Sequence, residues 1–428
     1  MKTKILVWIG VSVLVAGAIG AAVWWSLRPQ VVTFSDDAKL TLLAVEYGKK
    51  HAPPAVKAAG RARGRGSFTT TNDTLVLWVR EEWSSKEWRN FQFYAYDKAN
   101  TACVQTYPRN YGPGKQGNQV VGVAFDAFPR RQSKFIVRVQ ENGNMGQEIS
   151  DQQFVVHNPA RNPIIDWAPE SLPDEQDDGD LAVTLKKFVV GARMPYSRNN
   201  DDEDDPMNLG VQATFHVQRN GTNASNWQPV AIDTFDAAGN HVSGWPNTQI
   251  QDGDLLTTYQ YALWPDEPAW KLHVEFSKQS GFTDSELWTV HGIPVQAGKQ
   301  RDFWNNRSQP AAVAETDLGG VHLKIFPAQE FTDVQPNSQP QGGLIIQATP
   351  ALPDGVRMTI VSLTDDQTND ISYWNSGWGG DKTTSYRYGL RDFSGVTNLN
   401  LTVAVHRSRF MDFKVKPEKA ALTAAAAQ

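Results

Sequence analysis

Short runs of alternating apolar and polar residues recur along the chain after residue 30, and they constrain its fold more than any other feature. In the clearest run, Val211–Val217, four apolar side chains alternate with three polar ones, and the same alternation returns at 272–276, 356–360 and 399–405. This pattern is typical of antiparallel strands with one buried and one solvated face. Turn residues separate the runs, and no long segment after residue 30 has helical periodicity. The sequence therefore predicts an all-β fold.

Weak self-similarity at near-constant spacing indicates internal repetition. Leu40-Thr-Leu42 resembles Val183-Thr-Leu185, and Val321-His-Leu323 is a looser third copy. In each copy we expect a central strand that runs into an aspartate turn, at 91–97, 229–236 and 358–365. Each copy is expected to close with a strand that carries an inward aromatic residue and valine and stops at proline, at 154–159, 288–294 and 413–417.

Three repeats of this size predict three tandem antiparallel β-sandwich domains of the immunoglobulin or fibronectin kind. A closed barrel would leave the same sequence pattern and stays open as an alternative. The predicted divisions are β-sandwich 1 at 31–160, a linker at 161–180, β-sandwich 2 at 181–295, a linker at 296–315, β-sandwich 3 at 316–417 and a disordered tail at 418–428.

An apolar run from Ile5 to Trp25 begins the chain, and Lys2 and Lys4 precede it. Its length suits a bilayer-spanning helix, and the two lysines favour a cytoplasmic N-terminus. Residues 1–30 are therefore predicted to be a transmembrane signal-anchor that contacts the membrane through residues 5–25 and places the rest of the chain in the periplasm or at the cell surface. A signal peptide cleaved near Ala16-Gly17-Ala18 is the alternative. Both interpretations place the bulk of the chain outside the cytoplasm.

Composition excludes several classes of protein. The single cysteine rules out an internal disulfide framework and a four-cysteine zinc site. With 41 Lys+Arg against 46 Asp+Glu, the chain lacks the basic balance of a nucleic-acid-binding protein. No nucleophile elbow, zinc-protease motif or phosphate-binding loop is present, so we expect no cofactor and favour a non-catalytic role. A hydrolase with carboxylates on sandwich loops remains an alternative, because paired carboxylates cannot be recognised from sequence.

Trp374 and Trp378 are the candidate ligand-binding residues. They lie in a glycine-rich stretch that we expect to form a loop between strands. Indole rings exposed on such a loop could stack against sugar rings, which predicts a carbohydrate-binding site. The alternative is that the loop folds back and buries both rings.

Two charged stretches are further candidates. A basic stretch could contact anionic lipid or an acidic polymer, or could be a mobile solubilising loop; its members are Lys49, Lys50, Lys57, Arg61, Arg63 and Arg65. An acidic stretch could supply oxygen ligands for calcium, or could be a solvated loop; its members are Asp201, Asp202, Asp204 and Asp205.

Together these features predict a membrane-anchored, envelope-exposed binding or spacer protein. Its expected partners are the membrane and either an envelope polysaccharide or another envelope protein.

Overall fold

The computed structural model describes residues 30–419 apart from short gaps at 35–37, 55–66, 85–88, 98–101, 105, 111–117, 144–145, 161–163, 194–208, 261–262, 306–309, 335–339, 380–382, 392 and 394. The described chain is nearly all β, which confirms the predicted class. The predicted membrane helix at 5–25 lies outside the described residues. No helix of the described part combines the length and apolar character needed to cross a bilayer.

Residues 31–157 form two antiparallel sheets. Their strands are β1 (Val31–Thr33), β2 (Lys39–His51), β3 (Phe68–Glu82), β4 (Phe91–Tyr96), β5 (Ala102–Val104), β6 (Thr106–Asn110), β7 (Asn118–Phe125), β8 (Lys134–Gly143) and β9 (Gly146–His157). Sheet A has the order β1-β2-β3-β7-β6, and sheet B has the order β5-β4-β8-β9. Apolar side chains of both sheets, among them Leu77, Phe93 and Phe154, form one core between them, as in a β-sandwich.

A second pair of sheets follows the same plan. Its strands are β10 (Asp174–Asp178), β11 (Leu181–Arg193), β12 (Leu209–Arg219), β13 (Thr222–Asn223), β14 (Trp227–Asp236), β15 (His241–Gly244), β16 (Asn247–Gln251), β17 (Asp254–Gln260), β18 (Trp270–Lys278), β28 (Arg409–Val415) and β29 (Glu418–Lys419). Sheet C has the order β10-β11-β12-β17-β16, with β13 on β12 and β29 on β11, and sheet D has the order β15-β14-β18-β28. Phe215 of sheet C packs against Phe276 and Phe413 of sheet D.

The chain between β18 and β28 forms sheet E. Its strands are β19 (Leu287–Gly298), β20 (Ala314–Leu318), β21 (Val321–Ile325), β22 (Ala328–Phe331), β23 (Gly342–Thr349), β24 (Val356–Asp365), β25 (Tyr373–Gly379), β26 (Thr384–Leu390) and β27 (Asn398–Arg407). Their order is β20-β21-β23-β22-β19-β27-β24, with β26 on β23 and β25 on β26. Strand β19 joins two groups of strands within sheet E: it pairs parallel with β22 on one side and antiparallel with β27 on the other. A short helix, α1 (Gln300–Asn305), places Phe303 on Phe331 and against Gly343.

One strand order recurs in the three regions. The order β1-β2-β3-β7-β6 has direct counterparts in β10-β11-β12-β17-β16 and in β20-β21-β23-β26-β25. The three segments that share sequence similarity, in β2, β11 and β21, hold the second position in each series. The opposing strands also correspond, as β4-β8-β9, β14-β18-β28 and β24-β27-β19.

The last strands of the second and third regions differ from the sequence expectation. The Trp288–Pro294 segment, expected to close the second repeat, lies in β19 and pairs with β27. The Phe413–Val415 segment, expected to close the third, pairs with β18 and is buried between sheets C and D. Both segments carry an aromatic residue two positions before valine, so their local patterns fit either sandwich and long-range packing selects the partner.

The stretches expected to be linkers contain regular structure. The 161–180 stretch includes β10, whose acidic side chains alternate between half-buried and exposed along the edge of sheet C. The 296–315 stretch includes the end of β19, helix α1 and the start of β20. The described residues before β10, 158–160 and 164–173, contain no helix or strand, so regular structure occupies only the last part of the first stretch.

Candidate functional site

The predicted aromatic loop is a strand. Trp374 and Trp378 both belong to β25, where they pair with Gly389 and Ser385 of β26. The half-buried indole of Trp374 covers Gly389, because a Cβ on that glycine would lie 2.5 Å from its Cζ2 atom. The guanidinium carbon of Arg391 lies 5.2 Å from the centre of the indole. The Trp374 ring is therefore packed within the protein, whereas the side chain of Trp378 lies outside the described part.

The charged candidates are only partly described. Lys49 and Lys50 are exposed near the end of β2. The other members of the basic stretch, Lys57, Arg61, Arg63 and Arg65, lie outside the described residues, as do the acidic candidates Asp201, Asp202, Asp204 and Asp205. Within the described chain, no group of three or more His, Cys, Asp or Glu side chains is arranged to hold a metal ion.

An extensive set of polar contacts lies where the first pair of sheets meets the second. The segment between β7 and β8 contacts the turn between β14 and β15. Arg130 donates from Nε to Asn240 Oδ1 over 2.9 Å and from Nη1 to the Tyr47 hydroxyl over 2.7 Å. The backbone N–H of Phe128 donates to the same Asn240 oxygen over 3.0 Å, and Ala127 is buried in the core of sheets C and D. One short segment thus ties the two sandwiches together.

Asn240 is held in position by its own turn. Its backbone N–H and its side-chain amide donate to the two carboxylate oxygens of Asp236, over 2.9 and 2.7 Å. Asp365 holds Asn369 by the same two bonds at the end of β24. Burial raises the pKa of Asp236 to about 6, although the Asn240 amide opposes the shift. The shared Asp-x-x-x-Asn spacing is a sequence signal that the strand pattern alone did not reveal.

A charged pair reinforces this joint. Arg131 forms a two-pronged salt bridge with Glu267, over 2.7 and 2.8 Å, and its second terminal nitrogen also reaches Asp166 over 2.6 Å. These bonds, led by the one to Glu267, raise the pKa of Arg131 above its ordinary value. Arg130, Arg131, Asn240 and Glu267 line a cleft of about 350 Å³ whose charges largely neutralise one another, which suits a structural joint.

A second joint connects the second and third regions. Arg357 of β24 donates from Nε to Glu275 of β18 over 2.6 Å, and its Nη2 contacts the other carboxylate oxygen. Burial alone would raise the pKa of Glu275, but the bonds to Arg357 outweigh it and lower that pKa. Glu275 is therefore a buried carboxylate that remains charged because its partner comes from the other side of the joint.

Comparison with known proteins assigns no function. No protein-family model matches the chain, and no curated protein is significantly similar to it. The joints and the surfaces around them are the basis on which a function can be proposed.

Proposed function

We propose that this chain is a membrane-anchored, non-catalytic scaffold that holds three β-sandwich modules in fixed orientation outside the cytoplasm. The first module is residues 31–160, and the second combines 174–278 with 409–419. The third, residues 284–408, is inserted between two neighbouring strands of the second. The strand order that recurs in all three regions supports this division.

The joint between the first and second modules is the observation that carries the proposal. Domains in one chain move relative to each other by default, unless their interface is extensive and well packed. Here Arg130 and Phe128 both bond to a buried asparagine across the interface, and Arg131 is bonded bidentately to Glu267. A protein that only tethered its modules would not need such a joint, whereas one that spaces and orients them would.

The insertion of the third module supports the same role. The chain crosses between the second and third modules twice, once from β18 to β19 and once from β27 to β28. Two crossings restrict a hinge more than one, and the Glu275–Arg357 pair adds a contact between them. The proposed partner of the modules is an envelope polysaccharide or another envelope protein.

The anchoring can be tested by protease accessibility. Protease would be added to cells whose cytoplasmic membrane is intact and whose outer face is accessible. A tag at the C-terminus of the full chain should then be removed. An N-terminal tag should stay protected until the membrane is ruptured. A C-terminal tag that remains protected until rupture would contradict the proposed orientation.

The fixed orientation can be tested by pulsed electron–electron double resonance, which measures the distance between two spin labels. Spin labels would be attached at Arg80→Cys in the first module and Lys187→Cys in the second, in full-length chain with Cys103→Ser. We expect one narrow distance distribution. Arg131→Ala combined with Arg130→Ala should broaden it, whereas Lys39→Ala, an exposed change in the first module, should not. A broad distribution in the parent would contradict the scaffold role.

A further inference from the structure

Trp245 is the most exposed large apolar side chain among the described residues. It lies between β15 and β16, and 86% of its surface is accessible to solvent. Every other tryptophan whose side chain the structure describes is buried or half-buried. Tryptophan is highly buried on average and is enriched where proteins contact a partner. A single exposed ring is nevertheless common on protein surfaces, so the residues beside it decide what it indicates.

Strand β16 places three exposed amide side chains next to this ring. The strand begins two residues after Trp245, and its residues Asn247, Gln249 and Gln251 are all exposed. Two residues of chain span at most about 7 Å, so the first amide lies close to the indole. Alternate residues of a strand share one side, so the three amides point the same way. Their side chains form no hydrogen bond within the described part of the chain, which leaves them available to a ligand.

The amides lie on the face of sheet C that points away from the core. Leu255 and Tyr259 of β17 are buried in the core between sheets C and D, and the amides lie opposite the alternate residues of that strand. Further from the edge, the same face continues with hydroxyl, amide and methyl groups; these residues are Thr258 and Leu256 on β17 and Gln212 and Thr214 on β12. The exposed indole therefore lies at the edge of a predominantly polar sheet face.

The chemistry of this surface favours an uncharged sugar chain. No charged side chain occurs in the ten residues from Val242 to Gln251. Asp254, opposite Gln251, is bonded to Lys186 and His216. Amide side chains both donate and accept hydrogen bonds, as sugar hydroxyls do, and an indole face suits the apolar side of a sugar ring. An anionic polymer would instead need cations beside the ring, and this segment has none.

Strand pairing with a second copy is the competing use of this edge, because β16 is the last strand in the order of sheet C. Pro246, which lacks an N–H, precedes the strand, and a turn at Asp252 and Gly253, with φ angles of +52° and +84°, ends it. An added strand would therefore find only the five residues of β16, and such short edges resist pairing. We propose that Trp245 and the β16 amides bind a neutral polysaccharide. The inference rests on the polysaccharide partner proposed above and identifies the surface that contacts it.

Retention of the full chain on insoluble polysaccharides, in a mild neutral detergent, tests the proposal. The neutral matrices are cellulose, chitin and curdlan, and calcium alginate is the charged comparison. We expect retention on at least one neutral matrix that does not fall as salt rises, because no ion pair is involved. Trp245→Ala should weaken that retention about tenfold, and Trp245→Tyr, which keeps a ring, should restore most of it. Asn247→Ala combined with Gln249→Ala should also weaken it.

A matched control separates this site from general adhesion. Ile165→Ala removes another exposed apolar side chain, which is 81% accessible, and should leave retention unchanged. Absence of retention on every neutral matrix, or an equal loss in Ile165→Ala, would overturn the proposal. Full retention by Trp245→Ala would reject this surface while leaving a polysaccharide partner in place. A dimer seen by sedimentation and lost in Trp245→Ala would show a second copy as the occupant instead. The spin-label distances test the scaffold without polysaccharide, so the two failures are distinguishable.

Discussion

Glu81 is a buried carboxyl group whose described polar contact is an amide. It lies in β3, is 5% exposed, and accepts a hydrogen bond from the Gln119 side chain over 2.7 Å. Burial disfavours its charged form and raises its pKa to about 7, against the opposing effect of the Gln119 bond. At neutral pH this group is therefore poised between its two protonation states.

The stability of the first module should depend on pH through Glu81. The folded-state pKa is above the unfolded value of 4.5, so the stabilisation from its proton is complete below pH 4.5 and is lost as pH rises to about 7. Glu81→Gln should therefore be more stable than the parent by up to about 3 kcal/mol near pH 8, with little difference near pH 4.5. Urea unfolding at the two pH values measures this, and an equal difference at both would contradict it.

At the scale of the element, the β20–β21 turn is built from two glycines. Gly319 and Gly320 have φ angles of +60° and +82°, which suit a two-residue hairpin turn and disfavour other residues. The two positions differ in space: a Cβ at Gly319 would lie 2.4 Å from Val405 Cγ1, whereas nothing lies within 4 Å of a Cβ at Gly320. A side chain at Gly320 would therefore meet backbone strain alone, whereas one at Gly319 would meet both backbone strain and steric overlap with Val405.

Alanine at each glycine should show that separation. Gly320→Ala should cost about 1 kcal/mol from the left-handed backbone alone. Gly319→Ala should cost roughly 1–3 kcal/mol more, because Val405 must move. Chemical unfolding followed by a probe in sheet E measures both; equal losses would show that Val405 yields without cost.

Trp374 provides a test of the carbohydrate alternative at the same scale. Since its indole covers Gly389, Trp374→Ala should lower the stability of sheet E by roughly 0.5–3 kcal/mol. An indole that served mainly as an exposed sugar platform would give the opposite result, with unchanged stability and lost retention on insoluble polysaccharide. Thermal unfolding and a pull-down on the same variant distinguish the two.

These elements show what local sequence can predict. Alternation correctly indicated strands at 211–217 and 272–276, because one buried and one wet face leaves a direct mark on sequence. It missed β10, whose acidic residues at a sheet edge resemble a solvated linker, and β25, where Gly377 and Gly379 within the strand resemble a loop. The polar joints were not predictable: the Asp-x-x-x-Asn spacing marks the turn that holds Asn240, but nothing in the sequence pairs Asn240 with Arg130, which is 110 residues away.

At the scale of the molecule, the placement of β28 links the end of the chain to its middle. Phe413 and Val415 are fully buried between sheets C and D, although more than 130 residues separate them from β18. The third module thus begins and ends at adjacent strands of the second, and its orientation follows from the integrity of that module. The proposed fixed spacing of the modules depends on this arrangement.

Hydrogen exchange in Phe413→Ala, with Phe410→Ala as control, tests this central claim most directly. Phe413 is fully buried, so its loss should cost about 3–5 kcal/mol, whereas Phe410 on the same strand is 39% exposed and should matter much less. The account predicts that Phe413→Ala lowers amide protection in β14 and β18 while β24 and β27 remain protected. Lost protection in β24 and β27, with β14 and β18 unchanged, would contradict it.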